Sequence, residues 1–184
     1  LPRELEIKDG RIWQKPVKEI ENYRANKCHY TDKKIDCYTT FEGIKGRTLD
    51  MTVELSGEDY HNFTVEMACD DEYGTAFTYN RGTGMLEIDR TYCGVTKDVV
   101  CVRKIKIADT DRKLKLRFIM DRQSIELFIN DGQQVATTAI CTPLQADGIC
   151  FNCDGSAVVD IEKYDIQDIL TGKKEVQYGC SCIR

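Results

Sequence analysis

The sequence predicts an all-β fold, a two-sheet antiparallel β-sandwich with a short N-terminal connecting helix. Three observations carry that expectation. Apolar and polar residues alternate in segment after segment beyond residue 34, Gly-containing turn signals separate the segments, and helical spacing is confined to one place. A chain of 184 residues with 41% apolar content is long enough for one domain with a real core.

Taken in order, LEIKDGRIW (5–13) alternates around Asp9-Gly10, a good two-residue hairpin turn. PVKEIENYR (16–24) follows, with Pro16 suited to a first helical turn and Val17, Ile20 and Arg24 at helical spacing. Residues 1–24 therefore read as a linker segment, 25–175 as the sandwich and 176–184 as a C-terminal tail. Within the sandwich, Leu49, Met51, Val53 and Leu55 share a face, as do Phe63, Val65 and Met67. Leu86 and Ile88, then Ile105 and Ile107, repeat the pattern. Leu114, Leu116 and Phe118 show it again, with Lys113, Lys115 and Arg117 on the other side. Turns are expected at Ser56-Gly57, Arg81-Gly82-Thr83-Gly84, Asp131-Gly132 and Asp154-Gly155. About a dozen such strands cannot bury their apolar faces in one flat sheet, and two packed layers can.

Composition narrows function. A net charge of −5 argues against nucleic acid as a partner, because phosphate binding needs a basic surface. No apolar run approaches the length of a membrane span. The chain opens Leu1-Pro2-Arg3-Glu4 without an initiator Met or a signal peptide, as expected of a piece of a longer or matured chain. Of the 10 cysteines, most sit among strand-like apolar residues, as in Val100-Cys101-Val102 and Ile149-Cys150-Phe151. The favoured reading is reduced thiols serving as small hydrophobes in a cytoplasmic protein, with disulfides in a secreted one as the alternative.

DRQSIELFINDG (121–132) presents Asp121 and Glu126, and paired carboxylates are how glycosidases cut sugars. If Asp121 continues the strand of Ser124–Ile129, the two acids stand about 17 Å apart on opposite faces. Catalytic pairs stand about 5–9.5 Å apart. The expectation is therefore a strand leading into a turn at Asn130-Asp131-Gly132, with Gly132 at positive φ. Glu126 and Asp131 are read as surface or turn groups.

The same stretch resembles a motif of the C-terminal β-sandwich domain of glycoside hydrolase family 32, the invertase, levanase and sucrose-6-phosphate hydrolase family. The matching steps are Asp121-Arg122-Gln123-Ser124, Glu126-Leu127-Phe128 and Asn130-Asp131-Gly132. Residues 1–24 look like the segment that links the family's catalytic domain to its sandwich, and LEIDR (86–90) and GSAVVDIEKYDIQDI (155–169) look like later landmarks of the same domain. The resemblance implies a concanavalin-like or jelly-roll sandwich, without a cofactor, that packs on and stabilises a five-bladed catalytic propeller of the same parent chain. Asp121, Arg122, Ser124, Glu126, Phe128, Asn130, Asp131 and Gly132 would be its structural motif. The family's catalytic acids lie in Asn-Asp-Pro-Asn, Glu-Cys and Arg-Asp-Pro steps. Here no Glu precedes Cys, no Arg precedes Asp, and none of Pro2, Pro16 or Pro143 follows Asp, so no catalytic residue is carried over. A homo-oligomer and a carbohydrate are further partners the resemblance leaves open, and a lectin-like carbohydrate-binding module is the alternative function.

Other features read more simply as structure. Cys150-x-x-Cys153 on a strand sends its sulfurs to opposite faces, which does not suit a zinc ion. Cys180-x-Cys182 lies in the tail and reads as an oxidisable pair. His29 and His61 lack ligand spacing, Cys28-His29 with Cys37 is a weak metal candidate, and Asp70-Asp71-Glu72 reads as a solvated turn. Gly82-Thr83-Gly84 precedes a strand rather than a phosphate-binding helix, and Asn62-Phe63-Thr64 is an isolated sequon. Lys113, Lys115 and Arg117, with Lys104 and Lys106, read as a solvated sheet face interleaved with acids such as Glu87 and Asp89. Trp13, Tyr30, Tyr38, Tyr60, Tyr73 and Tyr79 are candidates for a sugar-stacking platform.

Overall fold

A computed structural model describes residues 1–94, 100–108 and 113–167. The expected tail, with Cys180 and Cys182, lies outside the described residues, as does the end of the expected sandwich span. Within them the chain is a sandwich of antiparallel strands. Strands β1 (Arg3–Lys8) and β2 (Arg11–Pro16) form a separate hairpin. Asp9 and Gly10 close it with φ of 51° and 72°, the doubly positive turn that suits strand twist. The connecting helix forms as one six-residue stretch of 3₁₀ helix, Lys18–Tyr23, with Ile20 buried beneath it.

The remaining strands are β3 (Arg24–Ile35), β4 (Leu49–Cys69), β5 (Thr75–Asn80), β6 (Met85–Asp89), β7 (Val102–Lys106), β8 (Leu114–Asp121), β9 (Ser124–Ile129), β10 (Gln134–Ala139) and β11 (Gly148–Ile166). Their hydrogen bonds join them into one sheet that curls into two layers. The first half of β4 pairs with β8, and its second half pairs with β5. β11 follows β4 along its length and carries β3 on its other side. One layer therefore runs β10-β9-β8-β4-β11-β3, and the other runs β11-β4-β5-β6-β7. Two long strands belong to both because they bend at a shared corner. At that corner Gly57 and Gly155 take φ of 96° and 110°, and the β4–β11 register shifts at Asp154/Gly155 and again at Ser156/Val158.

The alternating residues fill the space between the layers. Leu49, Met51, Val53, Phe63, Val65, Met67, Leu116, Phe118, Ile125, Leu127 and Ile129 are all buried there. Phe77 meets Phe118 edge to face across the core, at 5.1 Å between ring centroids.

Candidate functional site

The stretch 121–132 lies where the sandwich meets the N-terminal segment. Asp121 ends β8 directly opposite Ser124, so the chain reverses at Arg122-Gln123. This corrects the expectation that Asp121 continues the strand of Glu126. The apolar runs 114–120 and 125–129 each fill their own strand, and directly opposed residues share a face. Asp121 and Glu126 therefore lie on the same outer face of the sheet. Asp121 is exposed and accepts the Arg122 N–H. The Arg122 carbonyl accepts Arg47 Nη2 at 2.7 Å, and the Gln123 carbonyl accepts the Ile140 N–H at 2.9 Å.

Glu126 is a second correction, since it is buried at 6% exposure rather than lying on the surface. The reason is that residues 1–24 fold back over this face. Glu126 Oε1 accepts the backbone nitrogen of Leu1 at 2.7 Å, and Oε2 accepts Arg3 Nη2 at 2.9 Å and Nε at 3.2 Å. Arg3 also donates to Gln14 and Thr137, and its guanidinium stands 5.6 Å from the Phe128 ring centroid. Phe128, Ile119 and Ile20 form a small apolar cluster outside the main core. A strand that alternates in sequence is thus covered on both faces.

The turn completes the seat. Asn130, Asp131 and Gly132 take φ of 49°, 60° and 93°. Asn130 Oδ1 accepts the Lys115 N–H at 3.1 Å, and Asp131 pairs with Lys115 at 3.0 Å. A Cβ on Gly132 would stand 2.1 Å from the Gln14 carbonyl oxygen. Gly132 is therefore required both for its φ and for the close approach of β2.

Sequence reasoning missed the neighbouring charge cluster. Asp50, on the outer face of β4 at 1% exposure, takes Arg24 and Arg117 on Oδ2 at 2.7 Å each. Burial is the largest single influence on the Arg117 guanidinium and lowers it, but the hydrogen bond to Asp50 and the attraction of Asp50, Glu21 and Asp131 together outweigh that and hold it above its ordinary value. Arg24 and Arg117 both lie within 3.7 Å of Glu21 on the 3₁₀ helix. The only legible signal was an acid at position 50 among alternating apolar residues.

Between the hairpin and this sheet face lies a cleft of about 840 Å³ lined by acidic and basic side chains in equal number. Glu4, Glu6, Lys8, Trp13 and Lys15 of the hairpin face it. Leu5, Ile7 and Ile12 share the hairpin's opposite face, with Ile7 directly across from Ile12. They are 69%, 83% and 60% exposed.

The other candidates are dispersed. Lys113, Lys115 and Arg117 belong to one layer and Lys104 and Lys106 to the other. Acids interleave with them, as in Lys104–Glu87 at 2.8 Å and Lys115–Glu54 at 3.6 Å. Arg117 is itself drawn into the Asp50 cluster rather than solvated. Tyr60 and Tyr79 are buried, Tyr30 packs on Phe41 and Lys8 covers the Trp13 ring. Cys150 lies opposite Glu66 while Cys153 points into the core. His29 and His61 are exposed, and Cys28 donates to the Glu42 carbonyl. Asp70 Oδ1 accepts the N–H groups of Glu72 and Tyr73 at 2.9 Å, closing a turn. Gly82-Thr83-Gly84 turns β5 into β6, and Asn62 bonds Asn80 at 2.9 Å. Among the described residues no group of three His, Cys, Asp or Glu is placed to hold a metal ion.

Comparison with known proteins gives a consistent answer. The family model described as glycosyl hydrolases family 32 C terminal matches residues 19–168. A sucrose-6-phosphate hydrolase of Staphylococcus xylosus is 27% identical over 91% of this chain and 34% of its own length. A probable sucrose-6-phosphate hydrolase of Vibrio cholerae is 30% identical over 88% of this chain and 27% of its own. The solved sucrose-6-phosphate hydrolase of Lactobacillus gasseri superposes with a TM-score of 0.73 at 26% identity, over 90% of this chain and 33% of that one. The chain thus spans about a third of the length of these relatives.

Proposed function

Because the chain belongs to the family of glycosyl hydrolase family 32 C-terminal domains, we propose that it is the non-catalytic half of a β-fructofuranosidase-type enzyme. In this reading it packs on a catalytic propeller of the same parent chain and stabilises it. The parent's substrate would be sucrose, its 6-phosphate or a fructan, in keeping with the names of the relatives.

The observation that carries the reading is the inverted hairpin. Its charged face turns toward the cleft, and its apolar face, Leu5, Ile7 and Ile12, is left in water. An apolar stripe of this kind marks a surface that is covered by something else. The relatives are about three times as long as this chain, which supplies a candidate to cover it. The motif 121–132 would then be the seat that holds the hairpin in position, through Glu126, Phe128 and Gly132. Cys93 and Cys153 sit in the core as small apolar residues, which suits a reducing, cytoplasmic setting.

The test joins the parent's two halves and compares them with Leu5→Ser, Ile7→Ser and Ile12→Ser combined. The substitutions are expected to lower the Tm of the joined enzyme and weaken association of separately made halves at least tenfold, while the Tm of the isolated chain stays unchanged. An unchanged joined enzyme would remove the stripe as the docking surface. Self-association of the isolated chain that disappears with the same substitutions would assign the stripe to oligomer contacts instead.

A further inference from the structure

We propose that Cys69 and Cys150 form a site of reversible thiol oxidation, closing to a disulfide that ties the end of β4 to the start of β11. Their sulfurs lie 3.4 Å apart although the residues are 81 positions apart in sequence, and both are buried. Chance alternation does not account for that meeting. Met67 lies opposite Ile149 and Cys69 opposite Gly148, so Ala68 is an extra, bulged residue, and it takes a φ of 51°. In an unbroken strand Cys69 would face away from Glu66, whose direct partner is Cys150. The bulge shifts the alternation by one and turns Cys69 onto the face of Cys150. A left-handed alanine is strained backbone, held here by the pairing on either side of it.

Two neighbours complete the site. Gly148 has no side chain, and a Cβ there would come within 3.1 Å of the Cys69 sulfur, so glycine leaves room for that sulfur beside Cys150. Tyr38, 63% exposed on the loop between β3 and β4, donates its O–H to Cys150 Sγ at 2.6 Å and covers it from the solvent side. Burial pushes the Cys69 thiol up, so that thiol rests protonated and reacts slowly. Bridge formation requires the sulfurs to approach from 3.4 Å to about 2.05 Å, and the bulge is where the backbone can yield.

With hydrogen peroxide as oxidant the chemistry balances. One thiol takes an oxygen from peroxide to give a sulfenic acid and releases a water. The second thiol attacks that sulfur, forms the S–S bond and expels a second water. The two sulfurs lose one electron each, and peroxide is reduced to two waters. A small dithiol reverses the step by exchange.

The experiment uses the whole chain with Cys180→Ser and Cys182→Ser, which removes the adjacent tail pair. The protein is oxidised with peroxide, its remaining thiols are alkylated, and the digested peptides are mapped by mass. The expected result is a 69–150 cross-linked peptide as the dominant bridge, a mass loss of two hydrogens, and full reversal by dithiothreitol. Cys69→Ser and Cys150→Ser each abolish that species, and Cys153→Ser leaves it. Recovery of Cys69 and Cys150 in alkylated form after oxidation is complete, or a dominant bridge between other cysteines, would overturn the proposal. The mapping needs no substitution at either cysteine, so a variant that fails to fold does not blunt it.

Discussion

At the scale of single residues, this domain concentrates its demands where the chain passes close to itself. Gly132 combines a φ of 93° with a carbonyl oxygen 2.1 Å from where a Cβ would sit. Gly132→Ala should therefore cost about 2–4 kcal/mol, more than backbone strain alone, because β2 must also move. Glu126→Ala leaves Arg3 beside the Phe128 ring without its carboxylate and should cost about 2 kcal/mol. Urea unfolding monitored by fluorescence reads both, and a Gly132→Ala change under about 0.5 kcal/mol would refute the close-approach account. Glu66 makes a different prediction. Burial holds its carboxyl above the ordinary value, so the folded state prefers the protonated acid. The stability this contributes is complete below the unfolded carboxyl range and is lost as pH rises through the folded value. At neutral pH the ionised group is a net cost. Glu66→Gln should raise Tm near pH 7, and the gain should vanish by about pH 4. An equal gain at both pH values would show that ionisation is not the cause.

At the scale of elements, the corner shared by β4 and β11 decides whether one sheet can make two layers. Its two glycines differ in a way that can be tested. A Cβ at Gly57 meets nothing closer than 3.6 Å, so Gly57→Ala adds only the cost of a positive φ, about 1 kcal/mol. A Cβ at Gly155 would stand 2.2 Å from the Asp59 carbonyl oxygen and 2.8 Å from Tyr60 Cα, so Gly155→Ala should cost about 2–4 kcal/mol. Chemical denaturation of the two variants side by side should rank them in that order, and equal losses would mean that the corner relaxes freely. Most of the strands themselves were legible in the sequence. Leu114, Leu116 and Phe118 against Lys115 and Arg117 is a period-two pattern that only a strand satisfies. β9 was legible only on its inner side. Glu126 reads as a surface group because its cover, Arg3, lies more than 100 residues earlier, as does Ile20, which covers Phe128.

At the scale of the whole molecule, the family's catalytic steps are absent from the sequence, and the carboxylates buried on the outer face of the β8–β9 layer are taken up by arginines. The isolated chain is therefore expected to release no hexose from sucrose, sucrose 6-phosphate or a fructan above a no-protein blank. Turnover that disappears when one of its carboxylates is substituted would return an active site to this domain.

Most strands, their inner faces and the hairpin turn at Asp9-Gly10 can be read from near neighbours, through alternation and turn residues, although the turns expected at Ser56-Gly57 and Asp154-Gly155 are bends within β4 and β11. Long-range packing, by contrast, sets Asp121 and Glu126 on one face, buries Glu126, gathers two arginines at Asp50 and brings Cys69 to Cys150. Those facts depend on where the chain reverses, bulges and folds back over itself. A single inserted residue such as Ala68 changes which face the next strand residue, Cys69, presents, and local composition does not announce it.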